Sequence, residues 1–276
     1  VPDLRAAAFG DAPVFDLPPP ETPLDRLLTA IVLGARGRYA AAATLLDGLR
    51  RAEDPVIASL ALSTLASHRR QLGGHDAARG LDGAAFALAM RATEGSEDPD
   101  GLDAAGARVD ALLGLAADNL GAGRLTAARR SLDRALKVPT GWRGRLRAEW
   151  VTAELALASG RPDDAIEPAE RANALSAEQR SRRHFVKSRL VLAATLSAGD
   201  STGRERANEL VTAALSDAEE CELHSLIWPA CLIAAGIEGQ LREKYRFRSE
   251  QVLHAVLLRA DPVGRRIARQ SPWVPV

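Results

Sequence analysis

Cysteine is nearly missing: Cys221 and Cys231 are the only two in 276 residues. That excludes a disulfide framework and the Cys-x-x-Cys spacing of a zinc site, and it predicts a reducing, cytoplasmic setting. An excess of charge of one sign is missing too. The 36 basic residues meet 36 acidic ones, so bulk composition draws the chain neither to nucleic acid nor to a membrane surface. No run approaches the ~18 consecutive apolar residues of a membrane helix, and Val1-Pro2-Asp3-Leu4-Arg5 lacks the basic-then-apolar order of a secretory signal. Lysine is scarce: Lys137, Lys187 and Lys244 stand amid abundant arginine, alanine and glycine, a bias that suggests a GC-rich bacterial genome.

Catalytic grammar is also lacking. Gly121-Ala122-Gly123 has no third glycine and no strand before it, so it is not a dinucleotide fingerprint. Asp163-Asp164-Ala165-Ile166-Glu167 places acids in a helix's first turn, where the macrodipole favours them without any metal. The acidic segment 93–101 lacks the alternating ligands and closing glutamate of a calcium loop. His68, His75, His184, His224 and His254 are scattered, and none pairs at ligand spacing. Cys221 and His224 are expected on one helix face, but Cys231 falls ten residues from Cys221, which argues against zinc. The expectation is no metal, no cofactor and no enzyme.

What the chain does have is a recurring phrase: a glycine, a small residue five positions on, then apolar or small residues nine and twelve positions on. Gly37 is followed by Ala42, Leu46 and Leu49; Gly123 by Ala128, Leu132 and Ala135; Gly160 by Ala165, Ala169 and Ala172. Gly73 gives Ala78 and Ala85, with Asp82 breaking the pattern. Spacings of four and three put these positions on one helix face, and the glycine suits a left-handed turn ending the helix before it. Gly37 to Gly73 is 36 residues and Gly123 to Gly160 is 37, close to the ~34-residue period of helix-turn-helix repeats.

Gly-x-Tyr-x-x-Ala-x-x-x-Leu at Gly37, Tyr39, Ala42 and Leu46 resembles the second half of a tetratricopeptide repeat (TPR). The Gly123 unit is similar as well, with Leu112, Leu115 and Ala116 in the preceding helix and Pro139 near the family's closing proline. The aromatic positions depart from that pattern, being mostly leucine or alanine. The resemblance implies an all-α fold, a right-handed superhelical α-solenoid of about six antiparallel helix pairs with one continuous core.

The helices are expected over 24–35 with 39–51, 56–71 with 77–92, 102–120 with 126–137, 143–159 with 162–175, 181–198 with 204–216, and 222–237 with 244–259. Residues 1–23, with Pro13 and Pro18-Pro19-Pro20, are expected as an extended arm whose Phe9, Val14, Phe15 and Leu17 could dock on the first hairpin or in a groove. Residues 24–261 form the repeat domain, and 262–276 a short tail.

In tetratricopeptide solenoids the first helix of each pair lines the concave face, so the resemblance places the partner there. Arg143 and Arg147 lie one turn apart on the fourth first-helix, and Arg183 and Lys187 repeat that spacing on the fifth. With Trp150 as an apolar anchor and Glu154 as neighbour, these six residues are the candidate site for a peptide that is acidic or ends in a carboxylate. The leading function is a noncatalytic protein-interaction scaffold. A nucleic-acid-associated regulator using the basic stretches 180–187 and 242–248 is the alternative, and an all-helical enzyme a distant third.

Overall fold

The computed structural model describes residues 3–11, 16–199 and 203–275. Val14 and Phe15 of the arm, and positions 200–202 of the fifth turn, lie outside these residues. The described residues are helical, without strands.

A short helix α1 (Leu4–Phe9) comes first, in a segment expected to be extended. Six pairs follow: α2 (Pro23–Ala35) with α3 (Tyr39–Leu49), α4 (Pro55–Gln71) with α5 (His75–Ala89), α6 (Ala104–Gly121) with α7 (Leu125–Ala135), α8 (Trp142–Ala158) with α9 (Asp163–Glu178), α10 (Arg182–Ala198) with α11 (Arg204–Glu220), and α12 (His224–Ile237) with α13 (Arg242–Leu258). A last helix, α14 (Pro262–Gln270), lies where a tail was expected.

The repeated phrase does the structural work assigned to it. Gly37, Gly73, Gly123 and Gly160 all turn with φ between 70° and 77°, a region that side chains disfavour. Five residues on, Ala42, Ala78, Ala128 and Ala165 are fully buried, so paired helices approach closely. Nine residues on, Leu46, Leu132 and Ala169 are fully buried, and so is Asp82. Thr22 closes a capping box with Asp25 around Pro23, which explains why α2 begins there. Asp163 and Asp164 occupy the first turn of α9, where the helix dipole favours them.

One local expectation is corrected. Cys221 and His224 do not share a helix: α11 ends at Glu220, Glu222 turns left-handed at φ 53°, and α12 begins at His224. The reversal separates their faces. Both cysteines are buried, and burial raises the Cys231 thiol to about 11.

Each second helix also packs on the first helix of the next pair, and the first helices pack on one another in order. That circuit closes, because α12 also reaches α2. Ala35, Tyr39 and Leu72 from the first two pairs share a core with Val252, Leu253 and Val256 of α13, Ala268 of α14 and Val274. The backbone N–H of Ala40 donates to the Arg259 carbonyl at 2.8 Å, and Arg69 pairs with Asp261 at 2.6 Å. The ends of the solenoid therefore cover each other's apolar faces, which an open stack would leave to solvent.

Candidate functional site

The first helices present an inward face rich in arginine. Arg143 and Arg147, one turn apart on α8, both bind Asp110 of α6, the former at 2.7 Å. Arg143 also donates from Nε to the Asp100 carbonyl at 2.7 Å and from Nη2 to the Gly101 carbonyl at 3.1 Å. On the neighbouring pairs, Arg70 of α4 binds Asp82 of α5 and Asp118 of α6. Arg183 differs: no ion pair or hydrogen bond reaches its guanidinium among the described residues, and burial with the nearby charges of Arg147 and Arg143 pushes its pKa down to about 10. Four arginines thus face three aspartates.

Beside this network lies an aromatic cluster. His184 packs edge-on to Trp142 at 5.0 Å and stacks on Trp150 at 5.8 Å, while its Nδ1 meets Ser181 Oγ at 2.8 Å. Burial, aided by Arg183, holds this imidazole neutral, with its pKa well below the usual value. Trp150 donates from Nε1 to Ser188 Oγ at 2.9 Å, and the Lys187 ammonium sits 5.9 Å from its ring. Lys187 pairs with Glu154 at 3.0 Å. All six expected site residues are therefore brought together on α8 and α10, with the charges of Arg143, Arg147 and Lys187 already met by Asp110 and Glu154. Glu149 of α8 binds Arg171 of α9.

The chain's own N-terminal segment lies on this face. Leu4, Ala8 and Phe9 bury into a core with Leu27, Leu28, Ile31, Trp142 and Leu146. The Phe9 ring lies 6.2 Å from that of His184 and 5.7 Å from the Arg143 guanidinium. At one end, Arg5 pairs with Asp98 at 2.9 Å and Asp100 at 2.6 Å. At the other, the Gly10 carbonyl accepts from the Arg182 N–H at 3.0 Å, and Asp11 pairs with Arg182 at 3.2 Å and with Arg180 at 3.7 Å. The acidic segment 93–101 is thus partly a socket for Arg5. Its sequence carried the acids, but nothing local to it named their partner.

The partners missed in the sequence are Asp110, the Asp82–Arg70–Asp118 group and the α1 contacts. Asp82 had a signal, because it interrupts the repeat phrase at a packing position. Asp110 had a weaker one, as a single charge within the apolar run Val109 to Leu113. In the basic stretches considered for nucleic acid, Arg180 and Arg182 hold Asp11, Arg246 meets Glu243, and Arg248 meets Glu219. Among the described residues no cluster of three or more His, Cys, Asp or Glu side chains is placed to hold a metal, and no helix is long and apolar enough to cross a membrane.

Paired helices, small residues at the helix crossings and a first-helix inner face define an α-solenoid of helical hairpins. Its fold is tetratricopeptide-like. No protein-family model matches the sequence, and no curated protein matches it. Among solved structures, the chain resembles a Rap protein complexed with competence and sporulation factor, with a TM-score of 0.55 at 13% identity over 90% of this chain and 73% of that one. A Podosopora anserina protein of nearly identical TPR-like repeats, described as a kinesin light chain, matches with a TM-score of 0.45 at 20% identity over 76% of this chain and 97% of its own. At these identities the likeness is one of fold.

Proposed function

We propose that the chain is a cytoplasmic, noncatalytic protein-interaction scaffold whose α8–α10 face takes a peptide segment bearing an aromatic anchor followed by a carboxylate. The observation that carries this reading is α1 itself. Phe9, Gly10 and Asp11 engage Arg143, His184 and Arg182 in cis, so the face already accommodates one segment of that chemistry. Trp150 supplies apolar wall, Arg143, Arg147, Arg183 and Lys187 a positive surround, and Glu154 holds Lys187 in place. A Rap protein of the same fold is complexed with competence and sporulation factor, and an equivalent use of the fold is proposed here.

On this reading a partner segment and α1 compete, and the partner's apparent affinity is reduced by the fraction of chains in which α1 is docked. The test is titration of a labelled peptide spanning residues 1–17 of this chain against the full chain and against its Phe9→Ala, Asp11→Asn double variant. The peptide should bind the variant about tenfold more tightly than the wild type, weaken as salt rises, and lose affinity when Arg182→Glu and Lys187→Glu are added. Equal affinity for wild type and variant, or a loss seen only with Arg265→Glu and Arg266→Glu, would place the site elsewhere. Displacement of the peptide by duplex DNA at physiological salt would favour a nucleic-acid role.

A further inference from the structure

Beneath α1 the structure holds a cavity of about 40 Å³ lined by Ala7, Ala8 and Gly10 above, by Ile31 of α2 and Arg36 just after that helix, and by Arg182 and Arg183 at the start of α10. Its volume exceeds the roughly 10–15 Å³ that a single water needs. Its charge is one-sided. Arg182 is committed to Asp11 and Asp217, and Arg36 faces Glu222 at 4.0 Å. Among the described residues no carboxylate pairs with Arg183; the charged groups acting on it most are the arginines Arg147 and Arg143.

A partly buried guanidinium near two others, with no paired carboxylate among the described residues, destabilises the fold that contains it. An anion in the cavity removes that penalty, and the planar donor fork of arginine matches the paired oxygens of a carboxylate or a phosphate. We propose that the cavity under α1 is an oxyanion-binding site, anchored by Arg183, for a carboxylate or phosphate group. Arg182 and Arg36 at its wall add to the field that attracts the anion. Residues Ala7, Ala8 and Gly10 of the α1 segment cover the cavity, and Arg182 and Arg183 are shared with the α8–α10 reading; binding of a small oxyanion is measured without any peptide, so either can fail while the other stands.

The experiment uses the full chain, titrated calorimetrically and by thermal unfolding with sodium phosphate, with sodium acetate and with sodium chloride at matched ionic strength. Phosphate or acetate, but not chloride, should bind saturably at one site and raise Tm; which of the two does so identifies the group. Arg183→Gln should weaken that binding by about tenfold or more, as expected for losing a charge-assisted forked contact, and should unfold at a higher temperature than wild type when no oxyanion is present. Arg183→Lys, which keeps the charge but loses the fork, should bind with intermediate affinity. If wild-type chain responds to neither oxyanion beyond its response to chloride, or if Arg183→Gln binds as the wild type does, the proposal is overturned. The wild-type arm decides the question even where a variant fails to fold.

Discussion

Arg70 of α4 donates to Asp82 of α5 across 2.5 Å, at the one hairpin where the position nine residues after the turn glycine is charged instead of apolar. The same guanidinium donates from Nε to Asp118 of α6 at 2.7 Å, so one side chain ties the second pair to the third. Both carboxylates are fully buried. Gly114 of α6 makes the room, because a Cβ there would stand 2.2 Å from Asp82 Oδ2.

Removing Arg70 should therefore be among the more damaging substitutions in the chain. Arg70→Ala leaves two adjacent buried carboxylates without their cation, and breaking a buried pair in this way costs about 3–5 kcal/mol. Replacing Arg70, Asp82 and Asp118 together by Met, Leu and Leu should cost far less, since the apolar trio leaves no charge unpaired. Urea unfolding measures both; equal losses would show that the charges themselves are not what the site depends on.

The same cluster predicts a pH dependence. Burial raises the Asp118 pKa to about 7, with Arg70 opposing the shift and Asp82 reinforcing it. A carboxyl group whose folded pKa lies above its unfolded value binds more protons in the folded chain, so its contribution to stability is full below about pH 4 and is lost as pH rises towards about 7. Buried His68, held neutral by burial with its pKa near 3, acts in the opposite direction, losing stability as pH falls from about 6.5. The stability difference between wild type and Asp118→Asn, which cancels the histidine contribution, should therefore fall from about pH 4 to about pH 7 and level off above it. A difference that rises over this range would contradict the assignment.

Gly34 and His68 should be strongly coupled. A Cβ on Gly34 of α2 would lie 1.9 Å from Nε2 of His68, whose ring is buried 5.1 Å from that of Tyr39. Gly34→Ala should destabilise by about 1–3 kcal/mol through overpacking. In a His68→Ala background the same change should cost less than about 0.5 kcal/mol, so the double-mutant cycle reports a coupling of about 1 kcal/mol or more. Simple additivity would mean that the imidazole swings aside without penalty.

The helix α1 should open without the rest of the chain. Its clamps are Arg5 on Asp98 and Asp100 at one end and Asp11 on Arg182 and Arg180 at the other. Arg5→Ala combined with Asp11→Ala should accelerate proteolysis before residue 17 while moving Tm by no more than about 2 °C, because locally opening segments lie at the low end of the stability range. Cooperative loss of the whole fold in that variant would show α1 to be integral to the core.

How much of this was legible depends on the range of the interaction. The Gly73 hairpin formed as its glycine and alanines indicated, although Asp82 interrupts the phrase. Nothing within that hairpin's own spacing identified Asp118 as a partner, since Asp118 lies on the next pair. Arg143 and Arg147 were rightly grouped on one face, but the acid that neutralises them, Asp110, stands more than thirty residues earlier, on α6.

By itself, the sequence determined the hairpins: a glycine that turns left-handed, an alanine that lets helices touch, and buried positions nine and twelve residues on are local requirements, met within one unit. Only the tertiary structure decided what closes the solenoid and what fills its inner face. Ala40 meeting Arg259, Arg69 meeting Asp261 and Phe9 meeting His184 each join segments far apart in the chain. Such contacts arise from the summed rotation of successive hairpins, so no single repeat encodes them, and among the described residues they leave Arg183 without a carboxylate paired to it.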